Sequence, residues 1–316
     1  MAIRLITSTM CAGLVVAVTA LALWVSASVF GVPAGLTWRK ATTHRPMVSA
    51  EEVGTLDPHE ESPGGEICAL AISPDGTLLA TGARDGAVRL WEAAGQRPLV
   101  QWPACEEAVT ALAFSPDSRE LFAAGAERTV RRWLIQEPST PRPVGRWPVA
   151  APVSTLAVAP DGRTLAMAVG GRLGLHDAQS GDALPGSEFP YRDLTLRALA
   201  FAPDGRSLAA GGGGDNVVRV WEWEGSRPVL RLTLGGRVDN WVRGLAYSED
   251  GCTLVSLDTA GLLLAWDRAG HQLGSTCAGQ PPCLNTALGA GGRLLMTASG
   301  GLAPARLSRL ADTWWR

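Results

Sequence analysis

The sequence predicts an all-β fold, a closed ring of six small sheets of the β-propeller type. Two observations carry this prediction. A four-residue turn motif recurs every 41 to 46 residues from residue 73 onward. A short apolar strand, in which small and large residues alternate, precedes each clear copy of the turn. A regular period of this length indicates a repeat architecture, and strands crowded near a central axis are apolar on both faces.

The turn motif has the form Ser/Ala-Pro-Asp-Gly. Its copies are 73–76, 115–118, 159–162, 202–205, 248–251 and, in degenerate form, 289–292. Proline presets φ for the second position of a type I turn, aspartate suits the third, and glycine can adopt a left-handed conformation before the next strand. Each copy therefore predicts a tight hairpin. The predicted inner strands before these turns are 69–72, 111–114, 155–158, 198–201 and 244–247.

A third strand in each repeat ends at a position that tryptophan occupies four times. The residues at this position are Trp91, Trp133, Trp221 and Trp266, with His176 and Leu307 in the other two repeats. One large aromatic residue at a fixed place in each repeat predicts packing between neighbouring sheets. The acids Asp85, Glu127 and Asp215 each precede their tryptophan by six residues.

These third strands resemble the signature strand of the WD40-repeat family, most closely in Val-Arg-Leu-Trp-Glu at 88–92 and Val-Arg-Val-Trp-Glu at 218–222. The resemblance covers residues 66 to about 310 and implies a WD40-type propeller with Asp85 and Asp215 as structural acids. Six blades are favoured, and seven is the alternative if residues 15–44 fold as a blade. The Gly-His pair that the family places before the first strand is absent from every repeat. The two acids are therefore expected to find other partners, and the blades to be held mostly by apolar packing.

Residues 1–36 are predicted to be an N-terminal hydrophobic helix that acts as a membrane anchor or uncleaved signal segment. The run 10–30 has no charge and is long enough to span a bilayer. Basic residues are slightly more numerous after the run than before it, which favours a cytoplasmic propeller. Two alternatives stay open: cleavage near 25–27 with secretion of the propeller, and a degenerate extra blade.

Residues 37–65 are predicted to form a linker, and 66–316 the propeller. Outer strands begin with Arg-Pro at residues 97, 142 and 227, and the same pair occurs at residue 45. Proline is tolerated at the start of an edge strand. We therefore expect 45–50 to supply the outer strand of the last blade and to close the ring.

Composition and motifs argue against several functions. The net charge is −2 and no dense basic cluster is present, so nucleic-acid binding is not expected. The four histidines show no spacing typical of a metal site or a catalytic triad. We therefore predict no enzyme activity, no metal and no cofactor. Cys277 and Cys283 are close enough in sequence to form a disulfide, and the sequence leaves that question open.

The remaining interpretation is a monomeric propeller that binds a protein or peptide. Long connectors on the face opposite the Pro-Asp-Gly turns carry Tyr191, Arg192, Trp241 and Arg243. Aromatic and arginine residues on such loops are enriched in binding hot spots. Two alternatives are weighed against this one. One is an enzyme that uses the central channel, although the predicted inner strands offer mostly Ala, Leu, Val and Phe. The other is a purely structural, degenerate paralogue.

Overall fold

The computed structural model describes residues 50–56, 65–187, 189, 196–212, 214–235, 240–277, 282–289, 291–299 and 303–310. All of them belong to the compact unit formed by Pro46–Arg316. The hydrophobic helix predicted within 1–36 and the extra blade considered for 15–44 lie outside the described residues. Within the described part of the chain, no helix has the length and apolar character needed to cross a membrane.

The described residues form six antiparallel sheets, which we number as blades along the chain. A first strand, β1 (Ala50–Leu56), precedes blade 1. Blade 1 consists of β2 (Ile67–Ile72), β3 (Leu78–Ala83), β4 (Ala87–Glu92) and β5 (Arg97–Pro103). Blade 2 consists of β6 (Val109–Phe114), β7 (Glu120–Gly125), β8 (Thr129–Leu134) and β9 (Arg142–Pro148). The described residues of blade 3 form three strands, β10 (Val153–Val158), β11 (Thr164–Val169) and β12 (Arg172–Asp177).

The second half of the ring repeats this plan. Blade 4 consists of β13 (Ala198–Phe201), β14 (Ser207–Gly211), β15 (Val217–Glu224) and β16 (Arg227–Gly235). Blade 5 consists of β17 (Val242–Tyr247), β18 (Thr253–Asp258), β19 (Leu262–Asp267) and β20 (Gln272–Cys277). Blade 6 consists of β21 (Asn285–Gly289), β22 (Leu294–Ala298), β23 (Ala305–Leu310) and, as its outer strand, β1.

The ring closes with six blades. The first strand of each blade is innermost, and it contacts the innermost strands of both neighbours, including β21 with β2. The predicted all-β, six-bladed propeller is therefore confirmed. The seven-bladed alternative is wrong, because the last blade packs directly against the first.

Closure uses a strand that lies further along the chain than predicted. We expected 45–50, but β1 pairs with β23 from Ala50↔Leu310 to Leu56↔Ala305. Residues 45–49 lie outside the described part. The acidic composition of this segment predicted a solvated linker, whereas the structure has an outer strand here. The side chains of Glu51 and Glu52 are nevertheless exposed on this strand. Leu56, the last residue of β1, is fully buried against blade 1 and marks this segment as part of the fold.

The four repeated tryptophans are buried, and each packs on the preceding blade. Trp91 joins Met296 of blade 6 in one apolar cluster, and Trp133 joins Leu90 of blade 1 in another. Trp221 and Trp266 pack in the same way on blades 3 and 4. The predicted packing role is confirmed. Burying side chains of this size between sheets is a major source of stability.

One residue in this series was misplaced by the sequence. Leu307 pairs with Met296, whereas Ser308 faces Leu295 in the position equivalent to the tryptophans. The backbone N–H of Leu310 donates to the Arg293 carbonyl, as that of Ala93 does to Thr77 in blade 1. Serine at this position gave no signal from which its register could be predicted.

The recurring turn is built around a serine and an aspartate. In blade 1 the buried Ser73 hydroxyl donates to Asp75 Oδ1 (2.6 Å) and accepts from the Leu78 backbone N–H (2.9 Å). Gly76 has a φ of 71°, the left-handed conformation that the motif predicted. Ser115–Asp117 and Ser248–Asp250 repeat this arrangement.

The two acids expected to lack their usual partner do find others. Asp85 accepts a hydrogen bond from the Ala87 backbone N–H (3.0 Å), and Asp215 forms an ion pair with Arg219. Both are local contacts at a turn. No disulfide joins Cys277 to Cys283 in the structure, which answers the question that the sequence left open.

Candidate partner-binding site at the channel mouth

A central channel with a volume of about 700 Å³ runs between the innermost strands. Every innermost strand is the first of its blade, so all six run in the same direction along the channel. The Pro-Asp-Gly turns therefore lie together at one end, which we call the turn rim. The strands begin at the other end, which we call the channel mouth.

Six residues, each at or directly before the start of an innermost strand, form a ring at the channel mouth. They are Cys68, Thr110, Ser154, Arg197, Arg243 and Leu284, and all six line the channel. Three of the ring residues already form hydrogen bonds close to their own strands. The Cys68 thiol donates to the Glu66 carbonyl (3.5 Å). The Thr110 hydroxyl donates to the Ala124 carbonyl (3.1 Å), and the Ser154 hydroxyl donates to the Ala168 carbonyl (3.4 Å).

The arginines of this ring are different. Arg197 and Arg243 come from the neighbouring blades 4 and 5, so two cationic side chains lie side by side. Arg197 is exposed and Arg243 is half-buried. Burial lowers the pKa of the Arg243 guanidinium, and repulsion from Arg197 lowers it further. The Nε of Arg243 is buried and has no hydrogen-bond partner among the described residues.

An exposed tryptophan stands next to this pair. Trp241 precedes β17 and keeps 39% of its surface exposed. The guanidinium carbon of Arg243 lies 5.0 Å from the centre of the Trp241 ring, within the range of a cation–π interaction. Tryptophan and arginine are both among the residue types enriched in binding hot spots.

The predicted partner-binding residues have separate outcomes. Trp241 and Arg243 are brought together, and Trp241 is exposed and not tucked inward. Tyr191 and Arg192 lie outside the described residues, so their placement stays a prediction. Phe189 of the same connector is buried against Trp221 and Trp223 at centroid distances of 5.3 and 5.8 Å, which makes it a packing residue.

The sequence did not lead us to Arg197, because the predicted inner strands began one residue too late. We began the inner strands at residues 69, 111, 155, 198 and 244, one position beyond the ring. With these boundaries the inner strands offered mostly Ala, Leu, Val and Phe. Aligning the repeats one residue earlier places Arg197 with Arg243, Thr110 and Ser154, and this shared position was the available signal.

The described residues contain no group of three His, Cys, Asp or Glu side chains that could hold a metal ion. His176 Nδ1 lies 3.1 Å from the Gly181 carbonyl oxygen and His271 Nδ1 lies 2.9 Å from Asp267 Oδ2, and both contacts are local. Neither histidine lines the channel. The charged and aromatic side chains described at the channel mouth are Arg197, Arg243 and Trp241.

Comparisons with known proteins agree with this architecture. The family profile described as "WD domain, G-beta repeat" matches residues 50–92, 96–133 and 190–222. Over 210 residues the chain is 26% identical to Periodic tryptophan protein 2 of Arabidopsis thaliana, covering 64% of this chain and 22% of that protein. It is 36% identical to Small ribosomal subunit protein RACK1 of Glycine max over 75 residues, covering 24% and 22% of the two chains.

A third relative is Eukaryotic translation initiation factor 3 subunit I of Phaeosphaeria nodorum, 33% identical over 81 residues that cover 26% of this chain and 23% of that protein. The matched segment spans less than a quarter of each of these relatives. The likeness therefore concerns the repeats and not the whole proteins. The family matches show WD40 repeats in blades 1, 2 and 4, and six blades built on one strand plan support a WD40-repeat family for this chain.

Proposed function

We propose that this protein is a non-catalytic scaffold that binds a protein or peptide at its channel mouth. The single observation that carries the proposal is the pairing of exposed Trp241 with Arg243, whose buried Nε has no hydrogen-bond partner among the described residues. A buried polar group without a partner costs free energy, and an incoming ligand would supply the missing acceptor.

The printed names of two relatives support a role in an assembly. One is a subunit of a translation initiation factor, and the other is a protein of the small ribosomal subunit. We infer from these names that a WD40 ring of this kind serves as a component that holds other proteins. The partner of this chain is not inferred from them.

The test is affinity capture of the full chain with quantitative mass spectrometry. The variant combines Trp241→Ala with Arg243→Ala. The control combines Leu230→Ala and Arg206→Ala, which remove one exposed apolar and one exposed basic side chain away from the mouth. We expect the channel-mouth variant to lose a specific set of proteins that wild type and control retain. Equal recovery by all three proteins would show that the site is misplaced.

We further propose that the scaffold is tethered to a membrane by the uncharged run at 10–30. This proposal rests on the length and composition of that run. Leu14→Arg combined with Leu21→Arg adds two charges to the run, and each costs about 2.5–3.5 kcal/mol near the centre of a spanning helix. We expect this variant to leave the membrane fraction on alkaline extraction, whereas a Leu230→Arg control stays. Retention of the double variant would contradict the tether.

A further inference from the structure

The two arginines at the channel mouth are distinguished by their position, because both line the central channel and Arg243 is half-buried there. Nine described arginines form ion pairs with acidic side chains; they are Arg84, Arg97, Arg131, Arg132, Arg146, Arg219, Arg231, Arg268 and Arg306. No ion pair joins Arg197 or Arg243 to an acid among the described residues. Within the described part of the chain, two adjacent cations thus lie in the channel without an acidic partner.

This arrangement is unfavourable in the free protein. Like charges held side by side repel each other, and the repulsion grows as water is excluded. Arg243 is half-buried, so its guanidinium has also lost part of its hydration. A single anion between the two side chains would remove both penalties. Guanidinium groups bind carboxylate and phosphate oxygens through paired, charge-assisted hydrogen bonds.

The surroundings indicate what the anion is attached to. Below the ring the channel is lined by apolar side chains, among them Leu199 and Leu245. Outside the ring lies the exposed face of Trp241. A free inorganic anion would contact neither surface. A peptide can place an acidic side chain at the arginines, an apolar neighbour in the channel and further residues against the tryptophan.

We propose that the channel mouth recognises an acidic peptide, with one carboxylate or phosphate held between Arg197 and Arg243. The inference rests on the proposed function, since it names the chemistry of the partner at the same site. In this arrangement Arg197 is a binding residue together with Arg243, and Trp241 supplies the neighbouring apolar contact.

The experiment uses the full chain and labelled short peptide pools with random flanks around one fixed residue. The fixed residue is glutamate, phosphoserine, glutamine or lysine. We expect the glutamate or phosphoserine pool to be retained at least about tenfold better than the glutamine pool, because two charge-assisted hydrogen bonds are lost with the charge. The lysine pool should bind least. The order of the glutamate and phosphoserine pools distinguishes carboxylate from phosphate as the source of the anion.

The variant is Arg197→Gln with Arg243→Gln, and the matched control is Arg163→Gln with Arg206→Gln. The control removes two exposed positive charges from the turn rim, so both proteins have the same net charge. We expect the preference for acidic pools to vanish in the first protein and to persist in the second. Loss of the channel arginines should leave the thermal midpoint unchanged or raise it, since their repulsion is relieved, and this measurement excludes misfolding as the cause.

Three results would overturn the inference: equal retention of glutamate and glutamine pools, an unchanged preference in the Arg197/Arg243 variant, or no retention of any acidic pool. The proposed function is judged separately by the capture experiment. Partners whose capture requires Trp241 but is unchanged by Arg197→Gln would support the scaffold role. They would contradict the inference that the partner binds through an anion.

Discussion

The two ends of the central channel use charged residues in opposite ways. At the turn rim, aspartates recur once per blade in five blades, and their carboxylates accept hydrogen bonds from their own turns, as Asp117 does from Ser115 and the Arg119 backbone N–H. At the channel mouth, arginines occur in two adjacent blades and have no acidic partner among the described residues. The rim charges stabilise the fold, whereas the mouth charges remain available to a ligand.

The contrast between the two ends separates residues that build the repeat from residues that serve a function. A residue that recurs at the same position in most blades has a structural role that every blade needs, such as closing a hairpin. A residue that departs from the repeat and lacks a partner serves no such purpose. Sites of this kind are where local rules are broken for function.

The largest test of this comparison concerns two tryptophans. Trp221 is 1% exposed and packs between blades 3 and 4, while Trp241 is 39% exposed at the mouth. We expect Trp221→Ala to lower the free energy of unfolding by about 3–5 kcal/mol through lost burial and a residual cavity. Trp241→Ala should change it by less than about 0.5 kcal/mol. Urea denaturation of both variants measures these changes. Similar losses in the free energy of unfolding would contradict the distinction between the repeated tryptophan and the one that departs from the repeat.

A smaller effect is expected at the turn rim from Ser73→Ala. The change removes the hydroxyl that bridges Asp75 and the Leu78 N–H, and we expect a loss of about 1 kcal/mol. Blade 3 shows why the loss is limited. It has alanine at this position, and its Asp161 accepts directly from the Thr164 N–H (2.9 Å). Ala159→Ser is the matched control and should cost nothing. A loss above about 3 kcal/mol would mean that Asp75 cannot take over in the same way.

The repeat explains why so much of the fold was predictable. Five clear copies of one turn and four tryptophans in one position fixed the blade count and the packing between blades. The prediction failed where a blade departs from the pattern. In blade 6 a serine, Ser308, occupies the tryptophan position, and Leu307 was assigned to that position instead. The acidic composition of β1 predicted a linker. Prediction of the residues at the channel mouth depended on where each inner strand was taken to begin. Because the predicted strands began one residue too late, Arg243 was identified as a loop residue and Arg197 was missed. No sequence pattern reports that a guanidinium lacks a partner, because pairing is a property of the packed structure.

The tryptophan position itself offers a gain in stability. Trp91 Nε1 donates to the Thr81 hydroxyl and Trp266 Nε1 to the Ser256 hydroxyl, both at 3.1 Å. Trp133 Nε1 is buried without a partner among the described residues, and the equivalent residue of its blade is Ala123. We expect Ala123→Ser to supply the acceptor and to raise the free energy of unfolding by up to about 1 kcal/mol.

Urea denaturation of Ala123→Ser, beside an Ala123→Gly control that adds no hydroxyl, checks this effect. A loss of stability in the serine variant would show that the site is too tightly packed for the extra atom. In that case the hydroxyl–tryptophan bond is a property of blades 1 and 5 and not a rule of the repeat.

The smallest expected effect is a dependence of stability on acid pH that originates at the turn rim. Hydrogen bonds from the Ser115 and Ser248 hydroxyls lower the pKa values of Asp117 and Asp250 below the ordinary value of 3.8. Because these pKa values are depressed in the folded state, the stabilisation is complete above that ordinary value. It is lost as the pH falls through the folded-state values. Both carboxyls are exposed, so solvent screening keeps the effect small.

The measurement is the thermal midpoint as a function of pH for wild type and for Ser115→Ala with Ser248→Ala. The double variant should be less stable at neutral pH, and its midpoint should fall less steeply below about pH 4, since its carboxyls titrate nearer the unfolded value. Arg197→Gln with Arg243→Gln should leave the slope of the wild-type profile unchanged, because arginine stays charged throughout this range. Parallel profiles for wild type and the serine variant would show that the rim carboxylates draw their stabilisation from backbone N–H groups alone. An altered slope in the arginine variant would mean that the two ends of the channel are electrostatically coupled, and the division between them would no longer hold.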